Sequence, residues 1–356
     1  MTNSQRSALV VGGGIIGLAT AYRLARAGHA VRLFDPNVAH GATWAAAGMI
    51  APSAEIAPGE ESNYKVQLGA LPAWREFSDE LFTFTGERVN IVETGTLLVG
   101  WDASDRRMID QFAKVAEGFD APVHEVMRDS SPHLFEGISA RIRDGLVLDG
   151  DAWLDPDDVV RVLRTAIERL GVAVIEEHIV AVESSSEGVL ARSSCAEYRA
   201  DRGVLATGAA QLPSGATTAL GHVVRPVRGV TVRVQGPDRS DQPTIRAFVR
   251  GRAFYMVSRP GGYCVLGATA EEKAQPIVEV GELQRLLRDA LDIVPELESA
   301  PLLEARNGLR PASTDLRPFF VELDQSGWAW SSGHYRHGVT LAPIAANDAV
   351  RFAERA

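Results

Sequence analysis

Residues 8–35 read ALVVGGGIIGLATAYRLARAGHAVRLFD. The apolar run Ala8 to Val11 is strand-like, and the glycines Gly12, Gly13, Gly14 and Gly17 follow it. A helical apolar pattern then runs through Leu18, Tyr22 and Ala25 to Gly28, and a second apolar run, Ala30 to Phe34, ends in Asp35. This order predicts a βαβ unit that binds a dinucleotide. Gly12 permits the tight turn, Gly14 lets a pyrophosphate approach the backbone, and Gly17 lets helix and strand pack closely. The anion sits on the helix N-terminus, where unpaired N–H groups and the macrodipole both favour negative charge. Asp35 is placed to accept from ribose hydroxyls and its charge opposes a 2′-phosphate, so FAD or NAD is expected rather than NADP. A plain strand-turn-helix without a ligand would leave the four glycines without a reason.

At 356 residues the chain exceeds what one core usually holds, so two domains are expected. Lys and Arg total 36 against 46 Asp and Glu, a net charge of -10 that argues against nucleic acid or an anionic membrane as partner. No stretch nears the roughly 20 apolar residues that span a bilayer. The first residues, MTNSQRS, lead straight into the first strand without a basic-then-apolar segment, so a soluble cytoplasmic protein is expected. Cys195 and Cys264 are the only cysteines and form no CxxC or metal-like cluster, which argues against a disulfide framework or a zinc site.

Beyond the opening unit, residues 41–52 (GATWAAAGMIAP) are crowded with small side chains, as a planar group lying against backbone requires. Residues 53–63 are polar and bear Pro and Gly, which predicts a mobile loop. One amphipathic helix is expected from Tyr64 to about Phe84, a strand over Ile91 to Trp101, and a helix over Ser104 to Glu117. Asp155 and Pro156 suit the N-cap and first turn of a helix ending before Gly171. Short strands are expected at 172–175 and 179–182, and a buried strand at 203–209 ends in small residues that offer a second place for a nucleotide. Val223 to Val234, Ala247 to Ser258 and Tyr263 to Leu266 read as antiparallel strands, the last two joined through Pro260-Gly261-Gly262. A helix from about Gly281 to Asp292, a strand over Trp328 to Ser332 and a closing helix over Leu341 to Glu354 complete the reading.

Four pieces together resemble a known family. The segment from Gly12 to Asp35, the GATWAAAGMIAP segment, NGLRP at 307–311 and GHYRHGVTLAP at 333–343 are similar to the FAD-dependent amino-acid oxidases of the D-amino acid oxidase superfamily, in particular the glycine oxidases of thiamine biosynthesis. The resemblance implies an α/β protein with a Rossmann-like FAD-binding domain (1–52, 145–220 and 305–356) and a second, α+β substrate domain on a mixed or antiparallel sheet (53–144 and 221–304).

It further implies non-covalent FAD held by Gly12, Gly14, Ile15, Ile16, Gly17, Asp35, Thr43, Ala47, Gly48, Met49, Val180 and Gly208. The stretch Gly333, His334, Tyr335, Arg336, His337, Gly338, Val339 and Thr340 is implied to lie against the flavin. Arg310, Arg336 and Tyr255 are the implied contacts of the substrate carboxylate. Two positions depart from the family pattern: Trp44 stands where some members carry a small hydroxyl residue, and His337 where many carry Asn.

These roles make physical sense. A planar guanidinium fork grips a carboxylate in one orientation, which is what presenting Cα–H to a flavin demands. The last helix, approached through Gly338 to Pro343, turns its positive end toward charge gathering on the flavin. The amine arrives neutral, so no protein base is assigned. The implied reaction is oxidation of glycine or another small amine with O2 as acceptor and H2O2 as second product, supplying thiazole synthesis, and the resemblance further suggests a homo-oligomer. A D-amino acid or sarcosine-type oxidase or dehydrogenase, and a non-catalytic nucleotide-binding subunit, are the alternatives left open at this point.

Overall fold

The structure is a computed structural model, and it describes residues 5–56, 61–217, 223–324 and 327–355. The N-terminal strand Ser7–Val11 is buried along most of its length, and it pairs in parallel with Ala30–Phe34 on one side and Arg202–Leu205 on the other. Such a strand, covered on both faces, has to be apolar throughout rather than alternating. The sheet around it runs in the order Phe319–Glu322, Trp328–Ser332, Arg202–Leu205, Ser7–Val11, Ala30–Phe34, Ala173–Ile175, with only the first of these antiparallel to its neighbour.

Helix Ile15–Arg26 follows the first strand and packs against the final helix Gly338–Glu354 and the helix Pro156–Arg169. The approach is close because two glycines allow it. Gly12 has φ 107°, and an ideal Cβ there would lie 2.3 Å from Ala206 O; one on Gly17 would lie 1.8 Å from Gly12 O. The helix at 156–169 starts as its sequence demands, with Asp155 accepting from the Asp157 N–H at 2.9 Å and Pro156 in the first turn.

The final helix carries Pro343 in its interior, which cannot donate to the carbonyl four residues earlier. The buried Trp74 takes that place, its indole N–H lying 3.0 Å from Val339 O and 3.1 Å from Thr340 O. One aromatic residue of the 64–84 stretch thus repairs a helix at the other end of the chain.

A second sheet of eight strands runs Leu302–Ser313, Val224–Gln235, Tyr263–Gly267, Arg252–Arg259, Thr244–Val249, Thr96–Gly100, Asp144–Leu148, Val123–Met127. All its neighbours are antiparallel except Thr244–Val249 with Thr96–Gly100, so the sheet is mixed. Helix Val280–Ile293 covers one face through Leu286, Ala290 and Ile293. The expected borders near 145 and 305 fall inside strands of this sheet.

Several local expectations are corrected. The stretch 247–258 is two strands, because Arg250 (φ 55°) and Gly251 (φ 74°) make a hairpin turn in it. Gly95, at φ 75°, divides 91–101 into Ile91–Val92 and Thr96–Gly100. The 64–84 pattern is carried by two helices, Glu61–Leu68 and Ala70–Thr85, that meet at Gly69. The stretch expected as one mobile loop contains a 3-10 turn at Ser53–Glu55 and the start of helix Glu61–Leu68, while residues 57–60 lie outside the described residues. The last helix begins at Gly338, three residues before its expected start, and residues 306–311 are the middle of a long strand. Among the described residues, no helix is long and apolar enough to cross a membrane.

Candidate active site

A cavity of about 730 Å³ opens at the carboxyl ends of strands Ser7–Val11, Ala30–Phe34 and Arg202–Leu205 and extends to the eight-stranded sheet. That volume suits a sizeable organic ligand, and the ends of parallel strands are where such sheets bind them.

On the side of the parallel sheet the lining includes Gly12, Gly14, Ile15, Ile16, Asp35, Thr43, Ala47, Gly48, Met49 and Gly208. Asp35 is oriented by its own backbone surroundings: Gly13 N–H donates to Oδ2 at 2.6 Å and Asn37 N–H to Oδ1 at 2.7 Å. Each oxygen keeps acceptor capacity for a ribose hydroxyl. Thr43 Oγ1 accepts from the Ile15 N–H at 3.0 Å, which ties the small-residue segment to the start of the first helix. Thr207 and Ser331 also line the cavity, and their hydroxyl oxygens are buried without a hydrogen-bond partner among the described residues.

On the side of the eight-stranded sheet the lining gathers charge. Arg310 donates to Thr269 O at 3.0 Å, takes part in no ion pair among the described residues, and has its pKa pulled down by burial. Room for it is made by Gly229 on the neighbouring strand, which brings no side chain of its own. Tyr255 lines the same wall; burial raises its pKa, so it is a neutral hydroxyl that can donate. Opposite it in register stands Gly267, again leaving space for the larger partner. Ala253 and Ala270 add little bulk.

Glu55 and Arg246 complete this wall, and neither was singled out from sequence. Arg246 Nη1 is 2.7 Å from Glu55 Oε1, and Arg336 Nη2 is 2.9 Å from Glu55 Oε2. Burial alone would raise the Glu55 pKa, but the two guanidinium groups outweigh it and hold it at about 2. Arg336 therefore reaches the cavity already committed to a carboxylate, with its side chain 48% exposed. No periodic signal marks Glu55, which sits in a polar stretch; Arg246 hides in TIRAFV as one more residue of an alternating strand.

The segment 334–340 lines the cavity throughout. Gly333 (φ 75°) and Tyr335 (φ 45°) bend it, Tyr335 N–H bonds Pro311 O at 2.8 Å, and His337 N–H bonds His334 O at 2.7 Å. His334 and His337 are both buried rather than solvated. Burial, and then the neighbouring His337, lower the His334 pKa to about 4, so that ring is neutral at physiological pH.

Three expected cofactor residues do not line the cavity. Val180 is 46% exposed on a strand whose neighbour Ile179 is the lining residue, because adjacent strand residues face opposite sides. Gly17 is consumed by helix-to-strand packing, and Gly333 serves as the bend. Trp44 lies on the rim, stacked on His40 at 5.2 Å and 8° between planes, with Arg306 5.1 Å from its ring centre, and it leaves the cleft open. Cys264 is fully buried away from the lining, its Sγ 3.4 Å from Pro237 O.

Residues 7–351 match the model of a family described as FAD dependent oxidoreductase. A glycine oxidase of Geobacillus kaustophilus is 26% identical over 340 residues, 94% of this chain and 89% of that protein. The bifunctional protein ThiO/ThiG of Nostoc sp. is 28% identical over 353 residues, which are 96% of this chain and 51% of the relative, so the chain spans about half that relative's length. In fold, the crystal structure of glycine oxidase from Geobacillus kaustophilus matches with a TM-score of 0.87 at 24% identity, covering 98% of this chain and 95% of the other.

Proposed function

The chain belongs to the FAD-dependent oxidoreductase family, and from that premise we propose that it oxidises glycine or another small primary or secondary amino acid to the imino acid while O2 is reduced to H2O2. One molecule each of amino acid and O2 give one of imino acid and one of peroxide, so atoms and electrons balance. The observation that carries the reading is Arg310: a cavity-lining guanidinium with one N–H used by Thr269 and no acid paired to it among the described residues. Burying a cation without a counter-ion is costly, and an incoming carboxylate offsets that cost.

The residues present fit FAD. Gly12 and Gly14 keep side chains out of the path of a pyrophosphate, the first helix points its N-terminus there, and Asp35 offers carboxylate oxygens to a ribose. Ala47, Gly48 and Met49 and the segment 334–340 would hold the ring system, with Thr207 and Ser331 offering hydroxyls that have no other partner among the described residues. FAD when bound supplies the two-electron acceptor.

What the chain itself does is orient and exclude. Arg310 grips the carboxylate bidentately, Tyr255 donates a second contact to it, and Arg336, braced by Glu55, closes the same wall. His334 is neutral, and no group here is assigned as acid or base. The small walls at Ala253 and Ala270 favour including secondary amines such as sarcosine. With Cys264 away from the cavity, non-covalent FAD follows.

The same reading includes an FAD-binding unit on the parallel sheet and a substrate-binding unit on the eight-stranded sheet, a cytoplasmic setting, a homo-oligomer, and delivery of the product to thiamine thiazole synthesis. Anaerobic mixing of the yellow protein with glycine, sarcosine and several D-amino acids tests it. Bleaching by a small amino acid and rapid recolouring in air are expected. Persistent bleaching in air would make it a dehydrogenase, and a colourless protein that takes up no FAD would overturn the reading.

A further inference from the structure

Four consecutive carbonyls of the small-residue segment are all bound by donors of the eight-stranded sheet. Arg306 Nη1 lies 2.9 Å from Trp44 O, Thr231 Oγ1 2.9 Å from Ala45 O, Arg233 Nη2 3.1 Å from Ala46 O, and Arg259 Nη2 3.2 Å from Ala47 O. In a trans peptide the N–H points away from its C=O. Holding these oxygens toward the sheet therefore turns the following amides away from it, and Ala47 and Gly48 line the cavity with N–H groups that find no backbone or side-chain acceptor among the described residues.

The three arginines are not equivalent. Arg306 is paired with Asp157 at 3.0 Å and Glu304 at 2.6 Å, and Arg259 with Asp155 at 2.6 Å. Arg233 is 1% exposed, forms no ion pair among the described residues, donates Nη1 to Thr231 Oγ1, and has a buried Nε without a partner. The groups facing it are two cations, Arg306 and Arg259, and the hydroxyls of Tyr263 and Tyr255. The three guanidinium groups are matched in number by Asp157, Glu304 and Asp155, but among the described residues none of these carboxylates pairs with Arg233, which is the fully buried member of the set. It does not touch the lining itself.

We infer that Arg233 is a positioning residue: through Ala46 O it fixes the Ala47 amide toward the bound flavin and, as a buried cation that pairs with no carboxylate among the described residues, raises the flavin's reduction potential. This rests on the FAD reading above. Negative charge added to a ring system at the Ala47 and Gly48 amides meets aligned N–H dipoles and a fixed cation in a medium of low dielectric, where both count most. Arg306, with two carboxylates, and Arg259, with one, shape the segment as ion-paired groups whose charges are met locally.

The test is the midpoint potential of purified holoprotein, followed by the visible flavin spectrum against a redox dye, for wild type, Arg233→Lys and Arg233→Met. Arg233→Met is expected to lower the ratio of reduced to oxidised flavin at a fixed dye ratio at least tenfold, about 30 mV for two electrons. Arg233→Lys keeps the charge but not the fork, and is expected to lower it less while weakening FAD binding. An unchanged potential in a flavin-loaded variant would reduce Arg233 to a structural prop and overturn the inference. Should the Met variant fail to fold, Arg233→Lys decides: equal potential and equal FAD affinity would overturn it. Wild type that holds flavin but is not bleached by amino acids would sink the oxidase reading alone, since the potentials remain measurable.

Discussion

A Cβ on Gly229 would lie 2.3 Å from Nη2 of Arg310, so the guanidinium fills space that any larger residue at position 229 would need. The two face each other across neighbouring strands, two residues out of direct register, with Arg310 opposite Val227. Gly229→Ala should displace the far end of a flexible side chain rather than the sheet. It should therefore raise the substrate KM with FAD retained, as Arg310→Ala does. A charge-assisted hydrogen bond is worth about 1.5–3 kcal/mol, so both variants should raise KM about tenfold to a hundredfold. Steady-state kinetics on flavin-saturated protein decide it: unchanged KM in Arg310→Ala would remove the guanidinium from substrate binding.

Tyr255 and Gly267 repeat the arrangement one strand pair away, a Cβ on Gly267 lying 2.3 Å from the Tyr255 hydroxyl oxygen. Tyr255→Phe keeps the ring and removes one neutral donor. Loss of about 0.5–1.5 kcal/mol follows, a twofold to tenfold rise in KM. A fall in kcat at constant KM would instead place the hydroxyl on the reacting atoms.

The glycines of the opening motif separate fold from ligand. Gly12→Ala meets Ala206 O at 2.3 Å with φ already left-handed, and should cost several kcal/mol or abolish folding. Gly14 sees only Thr43 Oγ1 at 3.4 Å. Gly14→Ala should fold with a near wild-type Tm yet lose FAD affinity at least tenfold, as fluorescence titration would show. Equal affinity would mean that no pyrophosphate passes there.

Asp151 is buried, 1% exposed, with Ser53 N–H donating to Oδ1 at 3.0 Å and Oδ2 without a partner. Burial pushes its pKa up to about 7 against the lowering effects of the Thr96 hydroxyl and Arg246. The folded protein thus holds a proton that the unfolded chain releases near pH 4. Its stabilising contribution is full at the acid end of that window and is lost as pH rises toward 7. Asp151→Asn keeps the shape without the charge, so it should be more stable than wild type at pH 8, by on the order of a few kcal/mol at most, with a correspondingly higher Tm, and the gap should close toward pH 5. Parallel Tm curves from pH 5 to 8 would show that Asp151 does not titrate there. His334 acts in the opposite sense: its depressed pKa removes stability as pH falls from about 6.5 toward 4.

The parts of this molecule that were legible in sequence are those where one local rule dominates. A buried parallel strand must be apolar, a pyrophosphate turn must be glycine, and Asp155-Pro156 opens a helix with little else to influence it. The turn at Arg250-Gly251 was lost because the apolar alternation runs on through it. Glu55, Arg246 and Arg233 escaped for a different reason: burial of a charge is decided by which distant strand stands opposite, and nothing within a few residues of 55, 233 or 246 states it. At Val180 the sequence located the strand but not its face: the neighbouring Ile179 turns its side chain to the cavity.

The strand Leu302–Ser313 sets a limit on how such a protein can diversify. Arg306, Gly308 and Arg310 lie on one face of it, the first bracing Trp44, the second passing beneath Ala42, and the third lining the cavity. Inserting or deleting a single residue between them would turn one arginine to the opposite face. Length changes in this strand are thus closed to it as a source of altered selectivity, which leaves substitution of the residues that line the cavity.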